Sequence, residues 1–303
     1  MKVIVTGGCG FIGSSLVDRL VSMGWKVVVI DNKSTDAHEQ FYYNDNAEYW
    51  HYDVCEYDKI EPLFQNVDYV FHLAAEARIQ PTIENPLLAV KTNALGTCSV
   101  LQAARVNSVK RVIYSSTSSA YGFNDVPSIE TMRKQCLNPY SVSKTSGEEL
   151  CEMYYNLFGL ETVMFRYFNV YGERQPTKGQ YAPVIGLFQR QYKAKKPMTI
   201  VGDGLQRRDF THVSDVIDAN LKAALSDNEN VIGELFNIGT GKNYNIHDLV
   251  KMIVDNPVEG KDFVYIPERI GETRESLSDC TKAKKLLEWS AKLELVDWLK
   301  ENQ

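Results

Sequence analysis

Within "NPYSVSKTSGEELC" (residues 138–151), Tyr140 and Lys144 stand four residues apart at the start of a predicted helix. Side chains at i and i+4 share a helical face, so a phenol and an ammonium become neighbours. A free phenol, with a pKa of about 10, is a poor base at neutral pH. A cation beside it favours the phenolate and so makes proton abstraction from a hydroxyl feasible. Taken alone, the same spacing also describes a solvated helix start. "SSTSSAYG" (115–122) follows a predicted strand and carries Ser115, Thr117 and Ser118. Loop hydrogen bonding and binding of a polar ligand are both open for it.

A second constellation lies near the N-terminus. "VIVTGGCGFIGSSLVDRL" sets Gly7, Gly10 and Gly13 between an apolar strand and a helix with Phe11, Ile12, Leu16 and Leu20 along one stripe. Glycines at this spacing permit a tight turn, close approach of a pyrophosphate and contact between helix and sheet. The helix N-terminus offers unpaired N–H groups and the positive end of its dipole to the phosphates. Asp31 ends the next strand, 18 residues beyond Gly13. A carboxylate there accepts ribose hydroxyls and repels a 2′-phosphate, so NAD is expected over NADP. Asp53 and Val54 close a third strand, where an adenine edge would lie.

The elements that hold these residues alternate. Strands are predicted at 2–6, 26–30, 47–53, 69–73, 111–116 and 161–167, with helices starting near Phe11, Tyr57, Leu87 and Tyr140. That alternation is the pattern of a parallel sheet covered on both faces, an α/β, Rossmann-like doubly wound fold. After Gly172 the texture changes to a polar Gly/Pro-containing connection. It continues into a helix reaching about Lys195, a strand near "MTIVGDG", a helix in "DVIDANLKAAL", a strand in "ELFNIG" and two closing helices at 281–287 and 295–301. A smaller C-terminal substrate-binding lobe is therefore expected. Residues 1–172 would bind the dinucleotide with about 209–240 returning to them, while 173–208 and 241–303 would form the smaller lobe.

Composition narrows the field. The chain has 303 residues, 44% hydrophobic and 24% charged, within the ordinary range of a globular protein. No stretch approaches membrane-span length, and "MKVIVTGG" lacks an extended apolar h-region, so a cytoplasmic protein is expected. Six scattered cysteines without a C-x-x-C pair and five dispersed histidines give no metal-site spacing. The formal charge of −6 speaks against general nucleic-acid affinity.

In order along the chain, "TGGCGFIG" (6–13), "HLAA" (72–75), "SSTSSAYG" (115–122), "PYSVSK" (139–144), "RYFNVYG" (166–172), "GDGLQRRDF" (202–210) and "RIGE" (269–272) resemble the extended short-chain dehydrogenases/reductases, specifically their nucleotide-sugar 4-epimerases. The resemblance runs nearly end to end. It implies Thr117, Tyr140 and Lys144 as the catalytic set, Tyr140 exchanging the proton of the sugar's 4-hydroxyl, Thr117 binding O4 and Lys144 reaching the nicotinamide ribose. It implies a redox loop through a transient 4-keto sugar that turns over before reduction, leaving NAD unchanged overall. For the cofactor it implies Gly7, Gly10, Phe11, Ile12, Gly13, Asp31, Asn32, Asp53, Val54, Leu73, Ala74, Ala75, Asn93, Ser115 and Tyr167.

For the substrate the resemblance implies Ser118, Asn169, Val184, Arg208, Arg269, Glu272 and Ser276. Arg208 and Arg269 match diphosphate-binding arginines, whose planar forks suit phosphate oxygens. Arg207 either shares that work or forms a surface ion pair, and Val184 and Phe188 either line the nucleotide or belong to the core. Glu272 stands where many relatives carry Asp. Ala77 replaces a cofactor-contacting lysine of some galactose epimerases, and no role follows for Glu76 or Arg78. Relatives that dehydrate nucleotide sugars carry Asp-Glu after the catalytic threonine, and decarboxylating relatives carry a glutamate two residues before the Tyr-Gly. Ser118-Ser119 stand here instead. A bulky Tyr at the position of Ser276 disfavours a 2-acetamido group, so Ser276 inclines toward UDP-GlcNAc/UDP-GalNAc, with UDP-Glc/UDP-Gal alongside. The alternatives are another nucleotide-sugar enzyme (dehydratase, decarboxylase or reductase) and a non-catalytic NAD-responsive binding protein. A homodimer is expected through a four-helix bundle, with Leu95, Val100, Leu101, Leu150 and Met153 as interface or core.

Overall fold

The computed structural model describes residues 1–179 and 181–302. Seven strands form one sheet: β1 (Lys2–Thr6), β2 (Lys26–Ile30), β3 (Glu48–Trp50), β4 (Tyr69–His72), β5 (Arg111–Thr117), β6 (Glu161–Tyr167) and β7 (Leu235–Ile238). Their order is β7-β6-β5-β4-β1-β2-β3, and every neighbouring pair is parallel. β1, β2 and β4 read as nearly unbroken apolar runs because both faces of the sheet's centre are covered. Val3, Val5, Val27 and Val29 face one apolar layer with Leu16 and Leu20 of helix α1 (Phe11–Ser22) and Val216 of a later helix. Ile4, Val28 and Ile30 face the other with Val100 and Leu101 of α2 (Gly96–Val106) and Cys151 and Tyr154 of α3 (Pro139–Phe158). The period of two along each strand divides them between the layers.

Strand order reverses between β1 and β4, which opens a crevice beyond their carboxyl ends. Residues 209–240 supply α4 (Val213–Leu225), which covers the α1 side, and β7 at the sheet's edge. A third apolar cluster, including Tyr171, Ile185, Phe188, Ile200, Leu249, Phe263 and Trp298, is drawn entirely from residues after 170.

Several local expectations need correction. The third strand, read as 47–53, stops at Trp50 because the Asp53 carboxylate accepts the Cys55 N–H at 2.9 Å and turns the chain. A helix at Ile246–Ile253, started by a reciprocal cap between Asn245 and Asp248, and a strand at Phe263–Ile266 paired in parallel with Met198–Val201 were not foreseen. Phe188 is fully buried in the third cluster, and Val100 and Leu101 lie in the core under the sheet. No described helix is long and apolar enough to cross a membrane.

Candidate active site

A cleft of about 560 Å³ lies beyond the carboxyl ends of the central strands. At its first end the chain turns from β1 into α1. Gly7 has φ +70°, and a Cβ there would sit 2.8 Å from the Ala74 nitrogen; one on Gly13 would sit 2.1 Å from the Gly7 oxygen. Only glycine closes this turn. No side chain caps α1, and its first turn holds no carboxylate, so N–H donors and the positive dipole end face the cleft. The Asp31 carboxylate, at the wall, is fixed by the N–H groups of Cys9 (2.9 Å) and Lys33 (2.7 Å), which leaves further lone pairs for hydroxyls. An anion cradle beside an anchored carboxylate fits a dinucleotide with a free ribose.

Gly10, Phe11, Ile12, Asn32, Val54, Leu73, Ala74, Ala75, Ser115 and Tyr167 line the same cleft. Asp53 and Asn93 lie behind the wall. Asp53 turns the chain and accepts from Asn32 Nδ2 at 3.4 Å. Asn93, fully buried in a π-helical turn (Lys91–Leu95), accepts the Glu76 N–H and donates to the Glu76 carbonyl and Ser143 Oγ. It fastens the backbone after Ala75 to α3.

The middle of the cleft brings Thr117, Tyr140 and Lys144 together. Helix α3 begins with a reciprocal cap, Ser141 N–H donating to Asn138 Oδ1 at 2.8 Å, with Pro139 at its first position, and it ends at Gly159 in the left-handed region. Asn138 Nδ2 also donates to the Gly271 carbonyl at 2.8 Å, tying the helix start to the loop of Arg269 and Glu272. Thr117 accepts the Ser119 N–H at 3.1 Å, and its own O–H remains to donate. Burial pushes the Tyr140 phenol above its usual value, partly offset by the Thr117 hydroxyl. Burial pulls the Lys144 ammonium down to about 7, against the raising effect of Cys151 and Glu148. The ammonium rests 4.3 Å from the centre of the Tyr114 ring. Among the chain's own groups, then, burial outweighs the expected effect of the lysine on the phenol.

Tyr167 donates or accepts at Ser115 Oγ (3.1 Å) and accepts from Asn220 Nδ2 (2.8 Å), which fixes its ring across the cleft floor. Ser118 and Ser119 also line the cleft, so the two positions after Thr117 carry hydroxyls and no carboxylate.

At the far end Arg208, Arg269, Glu272, Ser276, Asn169 and Val184 all line the cleft. Glu272 lies between the arginines, 3.7 Å from Arg208 and 3.9 Å from Arg269. Ser276 Oγ accepts from Asn169 Nδ2 at 3.2 Å and from the Asp209 N–H at 3.4 Å. Asn169 holds a positive φ of 27° while donating to the Asp209 carbonyl at 2.8 Å. Arg207 turns away to Asn243 and Glu275 and is absent from the wall. Arg78 pairs with Asp36, and burial raises the Glu76 carboxyl. Both line the cleft.

The reading from sequence missed Ser116, which lines the cleft, and the buried Glu148 that holds it. The signal was present: Glu148 falls on the Tyr140 and Lys144 face, eight residues after Tyr140.

Residues 3–239 match the NAD dependent epimerase/dehydratase family. A putative UDP-glucose 4-epimerase of Methanocaldococcus jannaschii is 36% identical over 99% of each chain. The UDP-glucose 4-epimerase of Thermotoga maritima, solved with UDP-glucose, superposes with a TM-score of 0.91 at 36% identity, covering 99% of this chain and 96% of that one. A UDP-N-acetylglucosamine 4-epimerase from Methanobrevibacter ruminantium, solved with UDP-N-acetylmuramic acid, gives 0.89 at 32% identity over 100% and 99%. A UDP-glucuronic acid decarboxylase of Arabidopsis thaliana is 33% identical over 97% of this chain and 66% of its own. The chain belongs to the NAD dependent epimerase/dehydratase family, within the extended short-chain dehydrogenases/reductases. Within that class it falls among the UDP-sugar 4-epimerases, isomerases whose cofactor is NAD.

Proposed function

We propose that this enzyme interconverts the 4-epimers of UDP-hexoses, with UDP-GlcNAc and UDP-GalNAc preferred and UDP-Glc and UDP-Gal also accepted. The observation that carries the reading is the convergence of Thr117, Tyr140 and Lys144 on one cleft whose wall continues with Ser118 and Ser119. Bound NAD supplies a redox partner for sugar C4 and a positive ring charge beside the phenol. Gly7, Gly10, Phe11, Ile12 and Gly13 would hold its pyrophosphate and Asp31 its adenine ribose. Tyr140 takes the 4-hydroxyl proton and returns it after the 4-keto sugar has turned over. Thr117 donates to O4, and Lys144 adds a cation on the same helix face. Elimination of water or loss of a carboxylate needs an added acid or base next to Thr117, and the serines there supply none.

At the far end, Arg208 and Arg269 would exchange Glu272 for the diphosphate, which offers more oxygens to two guanidinium forks. Glu272 is then free to accept from the nucleotide ribose, with Val184 beside the uridine and Ser118 and Asn169 beside the sugar. A small Ser276, held open by Asn169 and the Asp209 N–H, leaves room for a 2-acetamido group, which agrees with the Methanobrevibacter neighbour named for UDP-N-acetylglucosamine. Residues 1–172 and about 209–240 carry the dinucleotide in this reading, and 173–208 with 241–303 carry the nucleotide sugar.

The same reading includes a cytoplasmic homodimer. Leu87 (83% exposed), Leu95 (53%), Val142 (48%) and Leu157 (68%) leave apolar surface along the 86–106 helical segment and α3. A second copy laid across both would make a four-helix bundle. Incubation with a panel of UDP- and dTDP-sugars, followed by chromatography, tests the activity. The expected result is conversion of UDP-GlcNAc to its 4-epimer, with slower conversion of UDP-Glc; inert UDP-hexoses would refute the reading.

A further inference from the structure

Three elements bring the groups of the site together: β5 ends in Thr117, β6 ends in Tyr167, and α3 carries Tyr140 and Lys144. They meet at one buried carboxylate. Glu148, 3% exposed, lies one turn beyond Lys144 on α3. Its Oε1 accepts from Ser116 Oγ at 2.6 Å and from Arg166 Nε at 2.9 Å. Its Oε2 accepts from Arg166 Nη2 at 2.7 Å and from Lys134 at 3.2 Å. Ser116 is the residue before Thr117, and Arg166 is the residue before Tyr167. The Arg166 guanidinium also lies over the Tyr121 ring at 4.6 Å, and Tyr121 donates to Asn237 of β7 at 2.6 Å. One anion thus ties the helix of the base to both strand ends that face it.

We propose that Glu148 is a positioning residue for the epimerisation. Its carboxylate sets the register of α3 against β5 and β6, and so the placement of Tyr140 and Lys144 relative to Thr117. The inference rests on the proposed activity but concerns a residue outside the cleft wall. A buried ion pair is weak evidence for stability as such, because an apolar pair of similar volume often does as well. Its contacts with the residues just before Thr117 and Tyr167, on the helix that carries Tyr140 and Lys144, fit a role in placement.

The carboxylate has a second consequence. Lys144 is faced by Glu148 and Cys151 on its own helix, by the Tyr114 ring of β5 and by His72 of β4. Glu148 is faced by Arg166 of β6 and by Lys134, which also pairs with Glu149. Burial pulls the Lys144 proton off, and Glu148 is among the few groups that oppose it. Losing that negative charge lets Lys144 deprotonate at lower pH.

The test compares NAD-loaded wild type, Glu148→Gln, the uncharged pair Glu148→Gln/Arg166→Gln, and Ser116→Ala. Turnover of UDP-hexose is followed against pH, with circular dichroism and bound-NAD content measured on the same samples. Glu148→Gln is expected to lose about 10-fold to 100-fold in kcat, keep KM within about 3-fold, and move the alkaline limb about half a pH unit down. Ser116→Ala, which keeps the charge but cuts the tether, is expected to lose about 3-fold to 10-fold in kcat with the limb unmoved. The neutral pair avoids leaving Arg166 buried and unpaired, and it is expected to follow Glu148→Gln. Folded, NAD-loaded variants with wild-type kcat and pH profile would overturn the inference. So would a loss in folded variants that merely tracks lost NAD with the profile unchanged. If neither charge variant folds, wild-type kcat in Ser116→Ala overturns it. Absence of epimerisation in the wild type would instead strike the proposed activity itself.

Discussion

At the dinucleotide end of the cleft, the candidate residues stand within a few positions of a strand's carboxyl end: Gly7 after β1, Asp31 after β2, Leu73 after β4, Thr117 closing β5, Tyr167 closing β6. At the nucleotide-sugar end they come from short pairings and loops. Arg208 lies in the three-residue strand Arg207–Asp209, paired with Asn243–Asn245, while Arg269, Glu272 and Ser276 follow the strand Phe263–Ile266. The first end is held by the continuous parallel sheet; the second is held by short bridges and side-chain hydrogen bonds between segments far apart in sequence, such as Arg207 N–H to the Arg274 carbonyl (3.0 Å), Ser276 N–H to the Arg207 carbonyl (3.0 Å) and Asn138 to Gly271. On the proposed reading the first end serves the chemistry and the second the choice of nucleotide sugar, so a change at one end should leave the other end's function largely intact.

Tyr140→Phe should separate the two ends most sharply. Removing the proposed proton-transferring group should cost about 1,000-fold or more in kcat. NAD content and UDP-sugar affinity, measured by calorimetry, should stay close to wild type. Arg208→Leu should do the opposite, raising KM about 10-fold to 100-fold for loss of a charge-assisted contact. Its kcat should fall much less, as steady-state kinetics at saturating substrate would reveal.

Ser276→Tyr should act on selectivity alone. The ratio of kcat/KM for UDP-GlcNAc over UDP-Glc should drop about 10-fold to 100-fold, with UDP-Glc turnover retained. Equal losses on both sugars would remove Ser276 as the determinant.

The smallest effect concerns stability. In the folded NAD-free protein Lys144 titrates at about 7, whereas unfolded it titrates near 10.4. Between those values the unfolded chain binds more protons, so stability rises with pH, by up to about 1.4 kcal/mol per unit. Below pH 7 both states are protonated and the penalty is present in full. Melting of wild type against Lys144→Met from pH 7 to 9 should show the wild type gaining relative to the variant. A constant difference would contradict the burial account of Lys144.

The regular half was readable from sequence because its signals are local. Apolar runs of five, a glycine-bounded turn and an i, i+4 pair each lie within one element and need no partner to be recognised. Substitution by tertiary contact hid the rest. Trp50 ends β3 because Asp53 captures the Cys55 N–H, a turn that "EYWHYD" does not distinguish from strand. Arg207 and Arg208 are adjacent in sequence, yet the alternation of a strand sends one to Asn243 and the other into the cleft. Asn93 and Glu148 act from behind the wall through groups 17 to 50 residues away, and no short motif encodes such a separation. The family resemblance proposed the positions, and burial is the main reason the phenol and the lysine depart in acidity from the simple pairing of charges.

The most direct test of the central claim is a substrate deuterated at C4 of the hexose, incubated with the NAD-loaded enzyme and followed by mass spectrometry and NMR. Removal and return of the same hydrogen at C4, with Tyr140 handling only the oxygen's proton, predicts a 4-epimer that keeps the deuterium and no accumulation of reduced cofactor. Deuterium washed into solvent, stoichiometric reduced cofactor, or a product lacking water or a carboxylate would contradict it.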